Sequence, residues 1–402
     1  MKNLVFLSRP AVVCSAGMNL DDLWTSVILG DNSAMIPTKV RSGKRLYAAR
    51  IPESRLLPSN ARFDMHIIRM ENAALEQLAP AVNKAISVYG KERVGVCVGS
   101  CDNGSEFSVA AHTFYFESGV FPSSYELEMQ GADYVATFVK EKFGISGATL
   151  AFATACSSSA GAIIKAAQLV RSGALDAVVT GGVDIASDTV LLGFNSLEAV
   201  SPQPTNPFSK NRSGITLGDA AAFFVLSRAP LDSEKICLAG YGESSDAFHL
   251  TSPESSGEGA ISAMQKALKS AELLCEEIDY VNLHGTGTKL NDSMEARAMN
   301  AVFGEYNVPC SSTKSITGHT LGAAAALEAA ICWKTLDVNS KNEEKIVLPP
   351  QVWDGDFDSE IPKLQIVSKG KEIQCKRKQI SRCMSNSFAF GGANASLIFE
   401  RR

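Results

Sequence analysis

The stretch LAFATACSSSAGAIIKAAQLV, residues 150–170, decides how the fold is organised. Its first residues are mostly apolar and lead directly into Cys156, after which three serines precede a run of small and apolar side chains typical of a helix. A thiol at the start of a helix meets unpaired backbone N–H groups and the positive end of the helix dipole, and both favour the thiolate. The stretch therefore predicts a reactive cysteine between a strand and a slender helix, although a buried, inert cysteine is the alternative.

Length and composition limit the classes of protein to which the chain can belong. It has 402 residues, 45% hydrophobic and 20% charged, which is typical of a globular protein with two linked or duplicated domains. The net charge of -5 provides no basic footprint for nucleic acid. The ten cysteines form no C-x-x-C pair, which favours reduced thiols and a cytoplasmic location. Arg9 and Pro10 interrupt the apolar N-terminus, so we predict a buried first strand rather than a signal peptide, and no apolar run is long enough to span a bilayer.

Strands alternate with helices along most of the chain. Helical stretches cover residues 256–274 and 321–336, for example. Short apolar, β-branched runs predict buried strands near residues 93–100, 174–182, 221–228, 279–285 and 395–400. The alternation predicts an α/β architecture with largely buried sheets.

The chain also contains an internal echo at a spacing of about 165–185 residues. In each part a strand is followed by a small-residue helix that starts beside a cysteine or a histidine. Each part closes with a Gly-rich loop that runs into an apolar strand, GDAAAFFVLSR in one and GGANASLIFER in the other. We therefore predict two similar halves, residues 1–230 and residues 231–402, with the break at the polar segment RAPLDSEK.

A histidine marks the next candidate site. His284 ends an apolar strand and enters the loop HGTGTKLND, and α/β proteins place ligands at the carboxyl edge of their sheets. Thr286 and Thr288 alternate in this loop, and their hydroxyls suit a long polar chain such as a pantetheine arm. The G-x-x-x-x-G-K-[ST] spacing of a phosphate loop is absent. A core histidine satisfied by the backbone remains the alternative.

Two further segments carry chemistry. In CSSTKSITGHTLGAAAALEAA, Lys314 and His319 flank the start of a small-residue helix, and Glu328 follows nine residues after His319. A cation, a base and an acid that converge from one segment indicate a catalytic site. The alternative is a surface helix with a capped start. Near the C-terminus, Gly391 and Gly392 permit backbone conformations closed to other residues, so this loop can aim an N–H at developing negative charge or form a plain turn.

Together the segments TACSSS, HGTGT, STKSITGH and NSFAFGG resemble the β-ketoacyl-acyl-carrier-protein synthases of the thiolase superfamily, over nearly the whole chain. The resemblance implies a thiolase-like five-layer αβαβα fold from two similar halves, in an obligate dimer. Thiolases carry a second reactive cysteine near the C-terminus, where this chain has FAFGGAN. A Cys–His–His trio is that of the elongating, decarboxylating class, whereas initiating enzymes use Cys, His and Asn, and chain-length factors lose the cysteine.

The resemblance also implies roles for individual residues. Cys156 would be the nucleophile, and His284 and His319 would hydrogen-bond the malonyl thioester as CO2 leaves. Lys314 and Glu328 would set charge and tautomer around His319. The remaining implied positions are an oxyanion hole and gate at Phe390 and Gly391, substrate contacts at Thr286, Thr288, Phe388 and Phe194, and supporting side chains at Asp292, Asp219, Asp246, Asn386 and Asn394.

Finer features suggest a subgroup. The blocks GFNSLEA, ESSDAFH, VNLHGT, VPCSSTK and LPP resemble the ketosynthases of aryl polyene gene clusters, which are similar to type II polyketide ketosynthases that pair with a chain-length-factor-like subunit. Three residues depart from the family pattern: Asp219 replaces a usual Glu, Ala393 a usual Thr and Lys289 a usual Pro. None of them belongs to the trio.

The resemblance implies an acyl carrier protein as partner, in addition to a homodimer or a heterodimer with a chain-length-factor-like homologue. It implies neither a metal nor a dissociable organic cofactor, because the carrier protein itself bears the 4'-phosphopantetheine. Arg62, Lys210 and Arg212 are candidates for the docking patch of the carrier. The alternatives are a homodimeric fatty-acid elongation synthase, a non-catalytic chain-length-factor-like subunit, a cysteine hydrolase, and a metal site made of Cys156 and two histidines.

Overall fold

The short apolar runs of the sequence form strands in the computed structural model, which describes residues 4–59, 64–341, 345–370, 375 and 379–402. The strands are β1 (Phe6–Leu7), β2 (Ala11–Cys14), β3 (Ile36–Lys39), β4 (Arg45–Ala49), β5 (Val94–Gly99), β6 (Thr149–Phe152), β7 (Ala177–Asp184), β8 (Leu217–Gly218), β9 (Ala220–Ser227), β10 (Ile236–Ser245), β11 (Tyr280–Asn282), β12 (Pro309–Ser311), β13 (Gln365–Ile366), β14 (Arg382–Phe388) and β15 (Ala393–Arg401). The five strands predicted from the sequence are confirmed, as β5, β7, β9, β11 and β15, and the N-terminal run forms β1 and β2.

Helices occupy much of the chain between these strands. They are α1 (Leu20–Leu29), α2 (His66–Tyr89), α3 (Ser105–Ser118), α4 (Tyr134–Phe143), α5 (Ser158–Arg171), α6 (Asp188–Ser196), α7 (Glu258–Ala271), α8 (Lys289–Phe303), α9 (Lys314–Thr317) and α10 (Ala324–Lys341). The two predicted helices are confirmed as α7 and α10, but α10 begins later than predicted because Leu321–Ala323 form a 3₁₀ turn. Within the described ranges, no helix is both long and apolar enough to cross a membrane.

Most strands belong to one mixed sheet, in the order β13-β12-β11-β14-β15-β10-β1-β9-β7-β5-β6, with β2 paired to β9. In one half β6, β5 and β7 are parallel and β9 is antiparallel to β7. In the other half β13, β12, β11 and β14 are parallel and β15 is antiparallel to β14. The strands of the two echoed segments, β9 and β15, therefore occupy equivalent places, which confirms two similar halves.

Alternating side chains on β9 and β15 separate the layers. Phe224 and Phe399 point into one central hydrophobic cluster, which also contains residues of α5 and α10. Phe223 points the other way, into a cluster with α2 and α4, and Ile398 points into a cluster with α7 and α8. Since successive side chains of a strand face opposite sides of the sheet, both halves are covered on both faces. The result is the five-layer αβαβα arrangement expected from the resemblance.

The two central helices bring the candidate residues together. Helices α5 and α10 are rich in buried alanine, so little side-chain bulk separates them from their neighbours. Each follows a 3₁₀ turn that contains a residue in the left-handed region, Ala155 with φ 52° and Leu321 with φ 51°. Because α5 and α10 pack together with these turns at their starts, Cys156 of one half meets the segment after His319 of the other.

Candidate active site

Cys156 lies immediately before the central helix α5. It is the middle residue of the 3₁₀ turn Ala155–Ser157, and its side chain is buried. The left-handed backbone of Ala155 costs about 1–3 kcal/mol for a residue with a side chain. The Ser158 hydroxyl holds this turn, since it accepts from the Thr154 N–H at 2.9 Å and donates to the Ala155 carbonyl at 2.6 Å. Ser158, one of the three serines after Cys156, therefore stabilises the turn that positions the sulfur.

His319 approaches the sulfur from the other half of the chain. Its Nε2 atom lies 3.0 Å from the Cys156 sulfur. The His319 N–H donates to the Thr216 carbonyl at 2.6 Å, and the Gly218 N–H donates to the His319 carbonyl at 3.1 Å, so the backbone is held on both sides. The other ring nitrogen, Nδ1, is buried and has no hydrogen-bond partner among the described residues. Since nothing fixes Nδ1, the ring is free to carry its proton on either nitrogen.

His284 completes the trio predicted from the sequence. Its ring centroid lies 5.3 Å from that of His319, and the two rings are nearly perpendicular. Glu295 of α8 fixes the loop, because its carboxylate accepts from the N–H groups of His284 and Gly285, both at 2.7 Å. Burial raises the pKa of Glu295 to about 8.

Asp292 supports the same loop, as the resemblance implied. Its carboxylate accepts from the N–H groups of Thr286 and Gly287 at 3.1 and 3.2 Å, and from the Phe208 N–H at 2.8 Å. Glu295 was not predicted, although it follows Asp292 by three residues on the same helix. Residues three apart on a helix lie on the same side, so the spacing of Glu295 from Asp292 was the feature of the sequence that could have indicated its role.

Lys314 contacts His284 rather than His319. Its buried ammonium donates to Glu328 and lies 3.5 Å from Nδ1 of His284. The expectation that Lys314 sets charge and tautomer around His319 is met only for charge, which acts on His319 through space, whereas the direct contact is to His284. An ammonium can only donate, so Nδ1 of His284 accepts and its ring proton lies on Nε2.

Burial controls the protonation of the trio. It raises the pKa of the Cys156 thiol to about 11, although the Lys314 charge and the N–H groups of Phe390 and Cys156 act in the opposite direction. Burial therefore opposes the thiolate that the start of the helix favours. Burial and the Lys314 charge hold the pKa of His284 and of His319 well below their usual range, so both rings are neutral near pH 7.

Alkylation of Cys156 by iodoacetamide should accelerate about tenfold for each pH unit between about pH 7 and pH 10. A thiol with a pKa of about 11 remains almost wholly protonated over that range, and only its small thiolate fraction reacts. Peptide mass mapping separates the rate at Cys156 from that at the neighbouring Cys101. A rate that levels off below about pH 8 would reveal a stable thiolate and contradict this account.

The loop after β14 brings a second backbone N–H to the sulfur. Burial raises the pKa of the Cys156 thiol, and the N–H groups of Phe390 and Cys156 act in the opposite direction, so both lie beside the sulfur. The N–H of Gly391 does not contribute, because it donates to the Leu250 carbonyl at 2.8 Å. Its role is conformational, since Gly391 has φ 82°, which favours glycine.

Asp246 and Asn394 hold this glycine loop in place. The Asp246 N–H donates to the Gly392 carbonyl at 2.9 Å, and Asn394 Nδ2 donates to the Asp246 carboxylate at 2.6 Å. A Cβ atom at Gly392 would lie 2.9 Å from the Asp246 Cβ, so no larger residue fits without a shift. Both predicted supporting residues therefore lie where they fix the loop of Phe390.

Two cavities meet at Phe390. The inner cavity, of about 620 Å³, is mostly apolar and is lined by Cys156, Cys101, Phe194, Leu321 and Phe390, among others. Phe194 stacks on Phe390 with ring centroids 5.7 Å apart. The sequence did not point to Cys101 as a lining residue. The inner cavity can hold an apolar chain attached to the sulfur.

The outer cavity, of about 380 Å³, has a polar wall that includes Thr288, Ser213 and Thr251. Phe388 and Phe390 line it as well. The Thr286 hydroxyl lies 3.1 Å from that of Thr288, although Thr286 itself is buried beside the cavity. Phe390 thus separates a polar approach from the apolar inner cavity.

Two implied supporting residues lie away from the trio. Asp219 accepts from the N–H groups of Ile51 and Ala186, at 2.9 and 2.7 Å, and contacts Nε2 of His66 at 3.2 Å. Asn386 accepts from the Ser396 hydroxyl at 2.8 Å, between β14 and β15. Both hold strands and loops together, and neither contacts a catalytic side chain in the structure.

Asp184 connects the two sides of the site and was not predicted. One of its oxygens accepts from the N–H groups of Cys101 and Gly322, each at 2.8 Å. It therefore ties the wall of the inner cavity to the turn that follows His319. Burial raises the pKa of Asp184 to about 7. Sequence position alone offered no signal for it, because an acidic residue at the end of a strand is common.

Two family models match the chain. The model described as the N-terminal domain of β-ketoacyl synthase matches residues 11–231, and the C-terminal domain model matches residues 236–340. The chain belongs to the β-ketoacyl synthase family. The resemblance inferred from the four sequence motifs is thereby confirmed, and the chain is a ketosynthase of the acyltransferase type.

Named relatives agree with this assignment. The ketosynthase is 31% identical to the 3-oxoacyl-[acyl-carrier-protein] synthase 2 of Rhizobium meliloti, over 99% of this chain and 98% of that protein. It is 35% identical to the protein of the same name in Vibrio cholerae, over 77% and 76% of the two chains. Among solved structures it is similar to the ketosynthase ApeO in complex with its chain length factor ApeC from Xenorhabdus doucetiae, with a TM-score of 0.89, 36% identity and coverage of 99% and 98%.

Proposed function

We propose that this ketosynthase extends acyl chains by decarboxylative condensation with malonyl-carrier protein, in aryl polyene or related type II polyketide biosynthesis. The observation that supports the proposal is the convergence of Cys156, His284 and His319. The sulfur and one ring nitrogen of each histidine lie within 4.8 Å of one another. A nucleophile beside two neutral imidazoles suits a reaction that first forms an acyl-enzyme and then stabilises an enolate.

The first step transfers the acyl group to the enzyme. As the Cys156 sulfur attacks the thioester carbonyl, its proton passes to Nε2 of His319, 3.0 Å away. The N–H groups of Cys156 and Phe390 hold the oxygen that becomes negative. Breaking the thioester bond to the carrier arm releases the arm as a thiolate, which regains the proton from His319.

The second step forms the carbon–carbon bond. The thioester carbonyl of the malonyl-carrier accepts from Nε2–H of His284 and of His319, and loss of CO2 leaves the electron pair of the broken bond in an enolate. Its carbon attacks the acyl group on Cys156, and the bond to sulfur breaks to give the β-ketoacyl product and the Cys156 thiolate. This thiolate takes a proton from solvent, which replaces the one that left with the first carrier arm. The Lys314 contact keeps the His284 proton on Nε2, where this step needs it.

The cavities suit these two steps. The apolar inner cavity would hold the growing chain, and the outer cavity would admit the arm of the carrier beside Thr286 and Thr288. Phe390 lies between them and would move when the inner cavity fills. No group beyond the phosphopantetheine of the carrier is needed for either step.

The aryl polyene assignment draws on sequence blocks and on one similar structure. ESSDAFH and VPCSSTK are among the blocks typical of that subgroup. The similar ketosynthase ApeO was solved in complex with its chain length factor. We therefore propose a heterodimer with a chain-length-factor-like subunit, together with an acyl carrier protein as the second partner.

The surface offers a place for such a subunit. Strand β6 ends the strand order of the large sheet, so one of its edges is free among the described residues. Helix α3 buries Ala111 alone and exposes Phe114 and Phe116, the latter by 83%. Exposed aromatic side chains and a free strand edge are each typical of protein–protein interfaces.

Co-expression with a chain-length-factor-like partner from the same gene cluster tests the proposal. We expect a stable heterodimer that extends an aryl-primed carrier with malonyl-carrier protein, as detected by mass spectrometry of the carrier-bound products. A homodimer that extends saturated acyl chains without this partner would instead favour fatty-acid elongation. The named relatives support that alternative, because they are 3-oxoacyl-[acyl-carrier-protein] synthases.

Two other functions can be distinguished from the proposed one, a cysteine hydrolase by its product and a metalloprotein by its metal content. A cysteine hydrolase would release free acid and no longer chain. A metal site has suitable geometry, since the ligand atoms of Cys156, His284 and His319 lie within 4.8 Å, but the Lys314 ammonium beside His284 opposes a cation. Stoichiometric metal in active protein would contradict the proposed mechanism.

The structure describes two of the three candidates for the carrier-docking patch, and one of them is buried while the other is exposed. Arg212 is buried and donates to Asp358 at 2.6 Å, so it does not belong to an accessible patch. Lys210 is exposed and pairs with Asp356 at 3.0 Å. Arg62 lies outside the described residues. Of the three, Lys210 remains a candidate.

A further inference from the structure

Within the described part of the chain, a single cation lines the outer cavity. Among its lining residues, Lys289 is the one basic side chain and Glu198 the one acidic side chain, and both are exposed. Lys289 directly follows Thr288 and is the first residue of α8. The sequence has lysine here where the resemblance implied proline. A lysine there adds a charge to the approach to Cys156.

The backbone of Lys289 is held firmly while its ammonium is left exposed. Arg212 Nη2 lies 3.4 Å from the Lys289 carbonyl and donates to it. The Glu360 N–H donates to the Asp358 carboxylate at 2.9 Å and Arg212 donates to it at 2.6 Å, and these bonds lower the pKa of Asp358 more than the Lys289 charge does. Because Arg212 already neutralises Asp358, the Lys289 charge remains available to a ligand.

The proposed substrate carries a matching anion. The acyl group is bound through the thiol of a pantetheine arm, and the far end of that arm is a phosphodiester. With the thioester at Cys156 and the arm running through the outer cavity past Thr288, the phosphodiester would lie beyond Thr288 on the side away from the sulfur. An ammonium is a compact donor for a phosphate oxygen, and proline at this position would have neither a charge nor a donor.

We propose that Lys289 binds the phosphodiester of the phosphopantetheine arm and so favours phosphorylated arms over pantetheine alone. This inference rests on the proposed function, because it assumes that the arm approaches Cys156 through the outer cavity. Glu198 on the cavity wall would repel a phosphate, so the proposed contact lies on the side of α8.

Acylation of Cys156 by two small substrates tests the contact without a carrier protein. The substrates are an acyl-phosphopantetheine and the same acyl-pantetheine without phosphate, and intact mass gives the rate of acylation. We expect Lys289→Gln to slow the phosphorylated substrate about fivefold, the size of one exposed ionic contact, and to leave the other substrate unchanged. Raising the salt concentration should shrink the preference of the unaltered protein in the same way.

Lys269→Gln is the matched control, because Lys269 is exposed on α7 and lines neither cavity. It should leave both rates unchanged. Equal loss for the two substrates in Lys289→Gln, or no preference in the unaltered protein, would overturn the contact. A loss seen only with intact acyl-carrier protein would assign Lys289 to acidic side chains of the carrier and also overturn it. Failure of both substrates to acylate Cys156 would instead count against the proposed function.

Discussion

Replacing His284 with alanine should lower the rate of chain extension by about 10²–10³ while acyl transfer to Cys156 continues. The reason is that Nε2–H of His284 is needed for the enolate of the second step, whereas the sulfur exchanges its proton with His319 at 3.0 Å. Intact mass of the acyl-enzyme reports the first step, and formation of β-ketoacyl-carrier reports the second.

His319→Ala supplies the contrast. It should slow both steps, because His319 takes the thiol proton in the first and donates to the enolate oxygen in the second. A His284→Ala variant that lost both steps to the same extent would show that the two rings do not divide the work as proposed. Thermal unfolding of both variants controls for damage to the fold.

Breaking the buried pair of Lys314 and Glu328 should have the second large effect. Both side chains are buried, and removing one partner leaves the other charge uncompensated, which costs about 3–5 kcal/mol of stability. We expect Lys314→Met and Glu328→Leu each to lower the free energy of unfolding by about this amount in urea titrations.

The double variant Lys314→Met, Glu328→Leu separates stability from catalysis. With both charges gone, much of the lost stability should return, since two apolar side chains of similar volume can fill the site. Chain extension should stay low, because no ammonium then holds the His284 proton on Nε2. Recovery of full activity along with stability would show that the pair is only structural.

Much of the fold was predictable because the periodicity of apolar residues reports burial on a strand or a helix directly. The runs at β5, β7 and β9 were found in this way, as was the repeat that places β9 and β15 in equivalent positions. The break between residues 230 and 231 stays a prediction. The start of α10 was predicted too early, because the 3₁₀ turn before it contains the same small residues as the helix.

The reactive residues were predictable for another reason. Cysteine and histidine beside small residues are unusual enough to mark Cys156, His284 and His319, and the structure brings the three together. What the sequence could not show depends on packing between distant segments. Asp184 acts by joining two loops from different halves, and the partner of Lys314 depends on the turn at Gly318.

The electrostatics of Cys156 depend on burial as well as on the start of the helix. The start of a helix favours a thiolate, and the sequence shows that feature of Cys156 clearly. The extent of burial depends on the whole fold, and it raises the pKa of the thiol to about 11. Proton transfer from Cys156 to His319 therefore becomes part of the first step.

The central claim is that Cys156 carries the chain which the two histidines then help to extend. The most direct test is intact mass spectrometry of the ketosynthase, with its partner subunit, after addition of acyl-carrier and then of malonyl-carrier. We expect an acyl adduct on Cys156 that is absent in the Cys156→Ala variant. This adduct should disappear as a β-ketoacyl-carrier that is two carbons longer forms. Release of the adduct as free acid, or extension by the Cys156→Ala variant, would contradict the central claim.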